Sequence, residues 1–146
     1  MRTFAIGILT ALAVALAADF PLIQPKELSG RIQAKGARPA LIHVGFNVLY
    51  RSKHIPNSVY AGPASTPEGL AALRAAAGKL PRDCEIVVYC GCCPWDHCPN
   101  IKPAMELLKQ MGFTRVQALY VPANMDADWF SRGYPSELGE AAKPAK

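Results

Sequence analysis

The stretch Ile86-Val87-Val88-Tyr89 runs straight into Cys90, Cys92, Cys93 and Cys98, so that four of the chain's five cysteines fall within nine residues. Three consecutive β-branched residues without polar alternation predict a strand covered on both faces, and strands of that kind belong to parallel sheets with helices above and below. A cysteine at the end of such a strand, just ahead of a helix, meets the unpaired N–H groups and the positive end of that helix. Those groups favour a thiolate. The pattern therefore constrains both the fold class and the chemistry, leaving sulfur transfer, metal binding and a local disulfide as the readings of the cluster.

The rest of the chain supports alternation of strands and helices. Pro25 to Lys35 predicts a helix with Pro at its start, Leu28 and Ile32 on one face and Gly36 beyond its end. Ala40 to Val44 is a short apolar strand. Thr66-Pro67-Glu68 opens a helix with a capping hydroxyl, an apolar face of Leu70, Leu73 and Ala77, and a stop at Gly78. Glu85 to Tyr89 is the strand already described. Asn100 is placed to cap the next helix, in which Ala104, Leu107, Leu108 and Met111 share a face before Gly112; Pro103 is tolerated in its first turn. Arg115 to Val121 reads as a further strand, and Asp126 to Arg132 as a short helix closed by Gly133. From Ser136 onward Ala, Lys and Pro dominate, and a loose tail over 136–146 is expected. Alternation of this kind gives an α/β fold, an open parallel sheet whose ligands bind beyond the carboxyl ends of the strands. Cys90 lies at such an end.

The ends bear on compartment. Arg2, the apolar run Phe4 to Leu16 and the small-x-small site Ala15-Leu16-Ala17 read as a secretory signal, cut after Ala17 and leaving one domain over 18–135. A retained anchor is the alternative, but the run is short for a span and no second span follows, so no stable membrane insertion is expected after cleavage. The expected location is periplasmic or secreted. There thiols tend to become disulfides unless a reductant reaches them, and an odd number of cysteines leaves at least one unpaired, metal-bound or intermolecular. The formal charge of +5 includes Arg2, and the other basic residues are scattered without runs or interleaved aromatics, which argues against nucleic acid.

Taken in order, Gln24-Pro25-Lys26-Glu27-Leu28, Leu41-Ile42-His43-Val44, His54-Ile55-Pro56-Asn57-Ser58, the strand ending in Cys90, Leu107 to Phe113, and Trp129 with Gly133-Tyr134-Pro135 resemble a single-domain rhodanese over nearly all of the chain after the signal. The resemblance implies a rhodanese-like open parallel sheet with helices on both faces. It also implies a sulfurtransferase activity of the thiosulfate sulfurtransferase type, in which Cys90 takes sulfane sulfur from a small donor as a persulfide and passes it to a thiol acceptor. The chain departs from the family at several points. His43 and Gly45 stand where Asp and Arg are usual, and Trp95 stands where the active loop usually carries Arg. The segment from Cys90 to Gly112 is longer, and Asn124-Met125 occupies the region of a usual glycine pair. Without the loop Arg the bidentate partner of an anionic donor is missing; Lys102 or His97 are the candidate replacements, and thiosulfate is disfavoured as donor.

Cys92, Cys93 and Cys98 form an auxiliary thiol set with three open readings. Cys98 can be bonded to Cys92 or Cys93 as a structural staple; one of the three can resolve the Cys90 persulfide by forming a disulfide; or Cys90, Cys92, Cys93, His97 and Cys98 can hold copper or zinc. No cofactor is otherwise expected. Cys84 lies six residues before Cys90, about 20 Å along an extended strand at ~3.3 Å per residue, beyond disulfide reach. It reads as structural. His43 is expected to satisfy itself within the strand layer, and His54 to fix a turn.

Overall fold

The computed structural model describes residues 20–140. The expected signal over 1–17 and the end of the tail lie outside the described residues. Five parallel strands form the central sheet: β1 (Leu22–Ile23), β2 (Ala40–His43), β4 (Val59–Tyr60), β5 (Ile86–Tyr89) and β6 (Val116–Leu119), in the spatial order β1-β6-β5-β2-β4. The strand expected from its β-branched run is central, with Ile86 to Tyr89 opposite Ala40 to His43 on one side and Ile86 to Val88 opposite Val116 to Ala118 on the other. All four of its residues are buried.

Successive side chains of a strand point to opposite faces, and the two faces hold separate cores. On one face Ile42, Val88 and Cys90 pack with Leu73 and Ala77 of α3 (Pro67–Ala77) and Leu108 of α4 (Ile101–Gln110). On the other, Leu41, Val87 and Tyr89 pack with Leu28 and Ile32 of α1 (Pro25–Gln33) and with Trp129. Each apolar side chain so covered contributes about 1.5–3 kcal/mol, which is why the β5 sequence carries no polar alternation. Trp129 follows α5 (Met125–Asp128), and its indole N–H donates to the Pro135 carbonyl at 2.8 Å. Thr66 caps α3 by accepting the Gly69 N–H at 3.0 Å, as its sequence predicts.

Several elements differ from expectation. A short helix, α2 (Asn47–Ser52), follows β2 and leads into β3 (Lys53–His54), which pairs antiparallel with β7 (Glu137–Leu138). The tail expected to be loose from Ser136 is thus held at its first residues: the Gly139 N–H donates to the Ser52 carbonyl at 2.9 Å, and the Glu137 carboxylate meets His54 Nε2 at 2.9 Å. A two-residue strand has no periodicity to read, and its pairing is set by the partner. Among the described residues no helix is long and apolar enough to cross a membrane.

Candidate active site at the end of strand β5

Cys90 ends β5 on the face shared with α3 and α4 and is 2% exposed. The chain then reverses at Gly91, whose φ of +84° suits glycine; a Cβ there would come within 2.0 Å of Met125 Cγ. An extended chain would separate residues 90 and 92 by about 6.6 Å. The turn instead brings their sulfurs to 3.2 Å, with Cys93 Sγ 2.7 Å beyond Cys92 Sγ. The short 3-10 turn Trp95–His97 carries the chain back to Cys98, anchored where the Trp95 N–H donates to Pro122 and its indole packs edge-on against Tyr120. Sγ of Cys90, Cys92 and Cys98 all lie within 4.8 Å of one another.

The electrostatics divide these thiols. Cys98 is pulled from 9.0 down to about 6, first by the neighbouring Cys90 and then, against burial, by the backbone N–H groups of Asn100 and Ile101 at the start of α4. Cys90 is pushed up, first by the neighbouring Cys98 and then by burial. Burial, followed by Cys92, pushes Cys93 up to about 12. The helix-terminal N–H groups expected to serve Cys90 therefore serve Cys98, because the loop returns that cysteine, not Cys90, to the helix entrance. Cys90 receives two other donors, the Cys92 N–H and the Asn100 side chain.

Asn100 departs most clearly from its expected role. It precedes α4 but makes no side-chain cap. Its fully buried amide turns inward: Oδ1 accepts the Ser65 N–H at 2.9 Å, and Nδ2 donates to Cys90 Sγ at 3.3 Å and lies 3.9 Å from Cys92 Sγ. Its place beside the cysteine loop was the one available sequence signal. Gly45, read only as a departure, also has a structural reason: a Cβ there would lie 2.9 Å from Cys90 Sγ and 3.0 Å from His43 Cε1. A side chain would crowd the Cys90 thiol.

His43 is buried among the rings of Tyr50, Tyr60 and Tyr89, and its Nδ1 has no hydrogen-bond partner. It satisfies itself in the strand layer only in part, by a hydrogen bond with the Cys90 backbone, while Nδ1 faces the aromatic rings. Burial holds it neutral, down to about 4. His54 does fix a turn, with Nδ1 2.7 Å from the Tyr50 carbonyl.

A cavity of about 520 Å³ opens over Cys90 and Cys92, lined also by His43, Leu49, Lys53 and Asp126. The anion-binding candidates from sequence lie elsewhere. Lys102 is 70% exposed and pairs with Glu106 on its own helix, and His97 is exposed on the loop. The cation that lines the cavity is Lys53, whose ammonium sits 4.8 Å over the Phe130 ring. Cys84 stands apart, half-buried at the entry to β5 and pushed up mainly by burial.

All five cysteines are thiols in this structure, so the staple from Cys98 to Cys92 or Cys93 is not formed here. For a metal, the three converging sulfurs of Cys90, Cys92 and Cys98 match a three-coordinate soft cation such as Cu(I). His97 and Cys93 fall outside that group, and a tetrahedral zinc site would need a fourth ligand.

No protein-family model matches the sequence, and no curated protein matches it. Solved structures do. The rhodanese-like domain of the Alr3790 protein from Anabaena sp. superposes with a TM-score of 0.63 at 21% identity, covering 86% of each chain. The BH2092 protein from Bacillus halodurans gives 0.64 at 20% identity, covering 85% of this chain and 82% of that one. Thiosulfate sulfurtransferase from Pseudomonas aeruginosa gives 0.60 at 21% identity over 82% of this chain but 20% of its own. The chain has the rhodanese-like fold, with the cysteine cluster at the carboxyl edge of its sheet.

Proposed function

We propose that this domain is an exported sulfurtransferase that carries sulfane sulfur as a persulfide on Cys90. The observation that supports it most is the buried Cys90 thiol, opening onto a cavity at the end of β5 with the Asn100 amide donating to its sulfur at 3.3 Å. The Cys90 thiolate, stabilised by the Asn100 amide and the Cys92 N–H, attacks the outer sulfur of a small persulfide, forming Cys90–S–S⁻ and releasing the donor's thiol. An acceptor thiolate then attacks the outer sulfur and returns Cys90 to its thiolate, with no net oxidation. Lys53 favours anionic donors, but one ammonium lacks the fork of a guanidinium, so a small persulfide is a better donor than thiosulfate. Export rests on the signal-like residues 1–17, and a periplasmic or secreted setting follows from it.

The test is mass spectrometry of protein mixed with glutathione persulfide and alkylated within seconds. One extra sulfur is expected on the Cys90 peptide, absent from Cys90→Ser. Sulfur accepted by Cys90→Ser but not by Cys92→Ser or Cys93→Ser would move the nucleophile into the loop. The second reading, a Cu(I) carrier, is favoured by the three sulfurs within 4.8 Å of one another. The two uses compete for the same thiolates. Tight stoichiometric Cu(I) uptake by protein isolated without reductant, lost in Cys92→Ser and Cys98→Ser, would favour the carrier.

A further inference from the structure

Cys90 and Cys92 are separated by one residue, and the reversal at Gly91 places their sulfurs 3.2 Å apart. A disulfide needs ~2.05 Å, a closure of about 1.2 Å. Both sulfurs line the same cavity, and the Asn100 amide faces both. The other two loop thiols are placed differently. Cys93 Sγ touches Cys92, and Cys98 Sγ is engaged by the N–H groups that open α4. Of the three auxiliary thiols, Cys92 is the one set against Cys90 without such a competing partner on the helix.

Building on the persulfide reading above, we propose that Cys92 is a resolving cysteine, which makes the domain a sulfide-releasing sulfane reductase as well as a carrier. The Cys92 thiolate attacks Cys90 Sγ, the inner sulfur of Cys90–S–SH. The bond between the two persulfide sulfurs breaks, the outer sulfur leaves as HS⁻, and a Cys90–Cys92 disulfide forms. The sulfane sulfur gains two electrons and becomes sulfide; the two cysteines together lose two. Returning them to thiols requires a dithiol reductant, which becomes a disulfide in exchange. Attack on the outer sulfur would merely move the persulfide to Cys92. The inner route gives a different product, and one glycine between the cysteines holds the attacking sulfur against Sγ itself. The choice of acceptor then depends on how quickly an outside thiol reaches the outer sulfur compared with Cys92.

The experiment follows the seconds-scale loading to completion. Reduced full-length protein receives one equivalent of glutathione persulfide without further reductant, and free sulfide and intact mass are read over time. Wild type should release close to one equivalent of sulfide and end two hydrogens lighter, with residues 90 and 92 crosslinked in one peptide. Cys92→Ser should hold the extra sulfur on Cys90 and release sulfide only when dithiothreitol is added; Cys93→Ser should behave as wild type. Sulfide release that persists in Cys92→Ser, or a persulfide mapped to Cys92 in wild type, would overturn the resolving role while leaving Cys90 as carrier. Absence of the Cys90 adduct in folded Cys92→Ser, where nothing resolves it, would overturn the persulfide reading and this one with it. If Cys92→Ser is misfolded by circular dichroism, the crosslinked wild-type peptide decides the matter: a bond from Cys90 to Cys98 refutes the assignment.

Discussion

Replacing Asn100 isolates the uncharged side chain that both donates to Cys90 Sγ and ties it to a second helix. Its Nδ2 lies 3.3 Å from Cys90 Sγ, and its Oδ1 accepts the N–H of Ser65, just ahead of α3. Asn100→Ala removes the donor and leaves a small buried void. A hydrogen bond to a charged group is worth about 1.5–3 kcal/mol, so the Cys90 thiolate population at fixed pH should fall about 10- to 150-fold. Asn100→Asp preserves the shape and the acceptor for Ser65 but sets a carboxylate against the thiolate. At that separation and an effective dielectric near 20, the repulsion reaches about 5 kcal/mol at most, and the thiol keeps its proton before the far more acidic carboxyl does. The Asp variant should therefore be the less reactive of the two.

The assay is the rate of iodoacetamide alkylation at Cys90, mapped by peptide mass across pH, beside a thermal melt of each variant. The expected order of reactivity is wild type, then Asn100→Ala, then Asn100→Asp, with the alkylation profile moving to higher pH in that order. Asn100→Ala should also lose about 1–2 kcal/mol of stability, and the Asp variant, which keeps the Ser65 bond but buries a carboxylate among the thiols, should lose more. A folded Asn100→Asp protein whose Cys90 profile overlays that of wild type would refute the assignment of Asn100 as a donor to the reactive sulfur.

Two further outcomes follow. Cys98 sits at about 6 when folded against an ordinary 9.0, so its thiolate stabilises the fold fully only above the ordinary value and that stability is lost as pH falls towards 6. Reduced protein should melt at a higher temperature near about pH 8.5 than near about pH 5.5, and Cys98→Ser should flatten that rise. Above the ordinary thiol value the raised Cys90 and Cys93 work in the opposite direction, so the gain should not continue. Lys53→Ala should raise the KM for an anionic sulfane donor about 2- to 5-fold, as expected for a partly screened charge worth ~0.5–1 kcal/mol, and should weaken its salt dependence. Lys102→Ala should do neither, and a KM effect confined to Lys102 would show that the cavity has been placed on the wrong side of the loop.

What could be read from the sequence is what local chemistry decides. The unbroken β-branched run of Ile86 to Val88 fixes a doubly covered strand, and Thr66 followed by Pro67 fixes a helix start. Both are found where expected, and the clustering of four cysteines marked the site without any knowledge of its partners. What could not be read depends on distant chain. Helix α2 has no buried residue and so no apolar stripe to announce it; Phe46 just before it and Val48 and Leu49 within it are exposed. Lys53 enters the cavity from the segment that leaves that helix, and its strand exists only because Glu137 and Leu138 return to pair with it.

The cysteine loop illustrates the same limit within fifteen residues. From spacing alone, Cys90 stands nearest the strand end and Asn100 nearest the helix, so the thiolate is assigned to the first and the cap to the second. The reversal at Gly91 and the turn at Trp95 exchange those roles: Cys98 arrives at the helix N–H groups, and the Asn100 amide is left facing Cys90 and the start of α3. A thiol pushed up at Cys90 and one pulled down at Cys98 thereby become separate residues of one cluster, their sulfurs within 4.8 Å of each other. On the proposed cycle the loop is cysteine-rich, where a single cysteine could form a persulfide, because Cys90 would accept the sulfane atom and Cys92, 3.2 Å away, would finish the exchange.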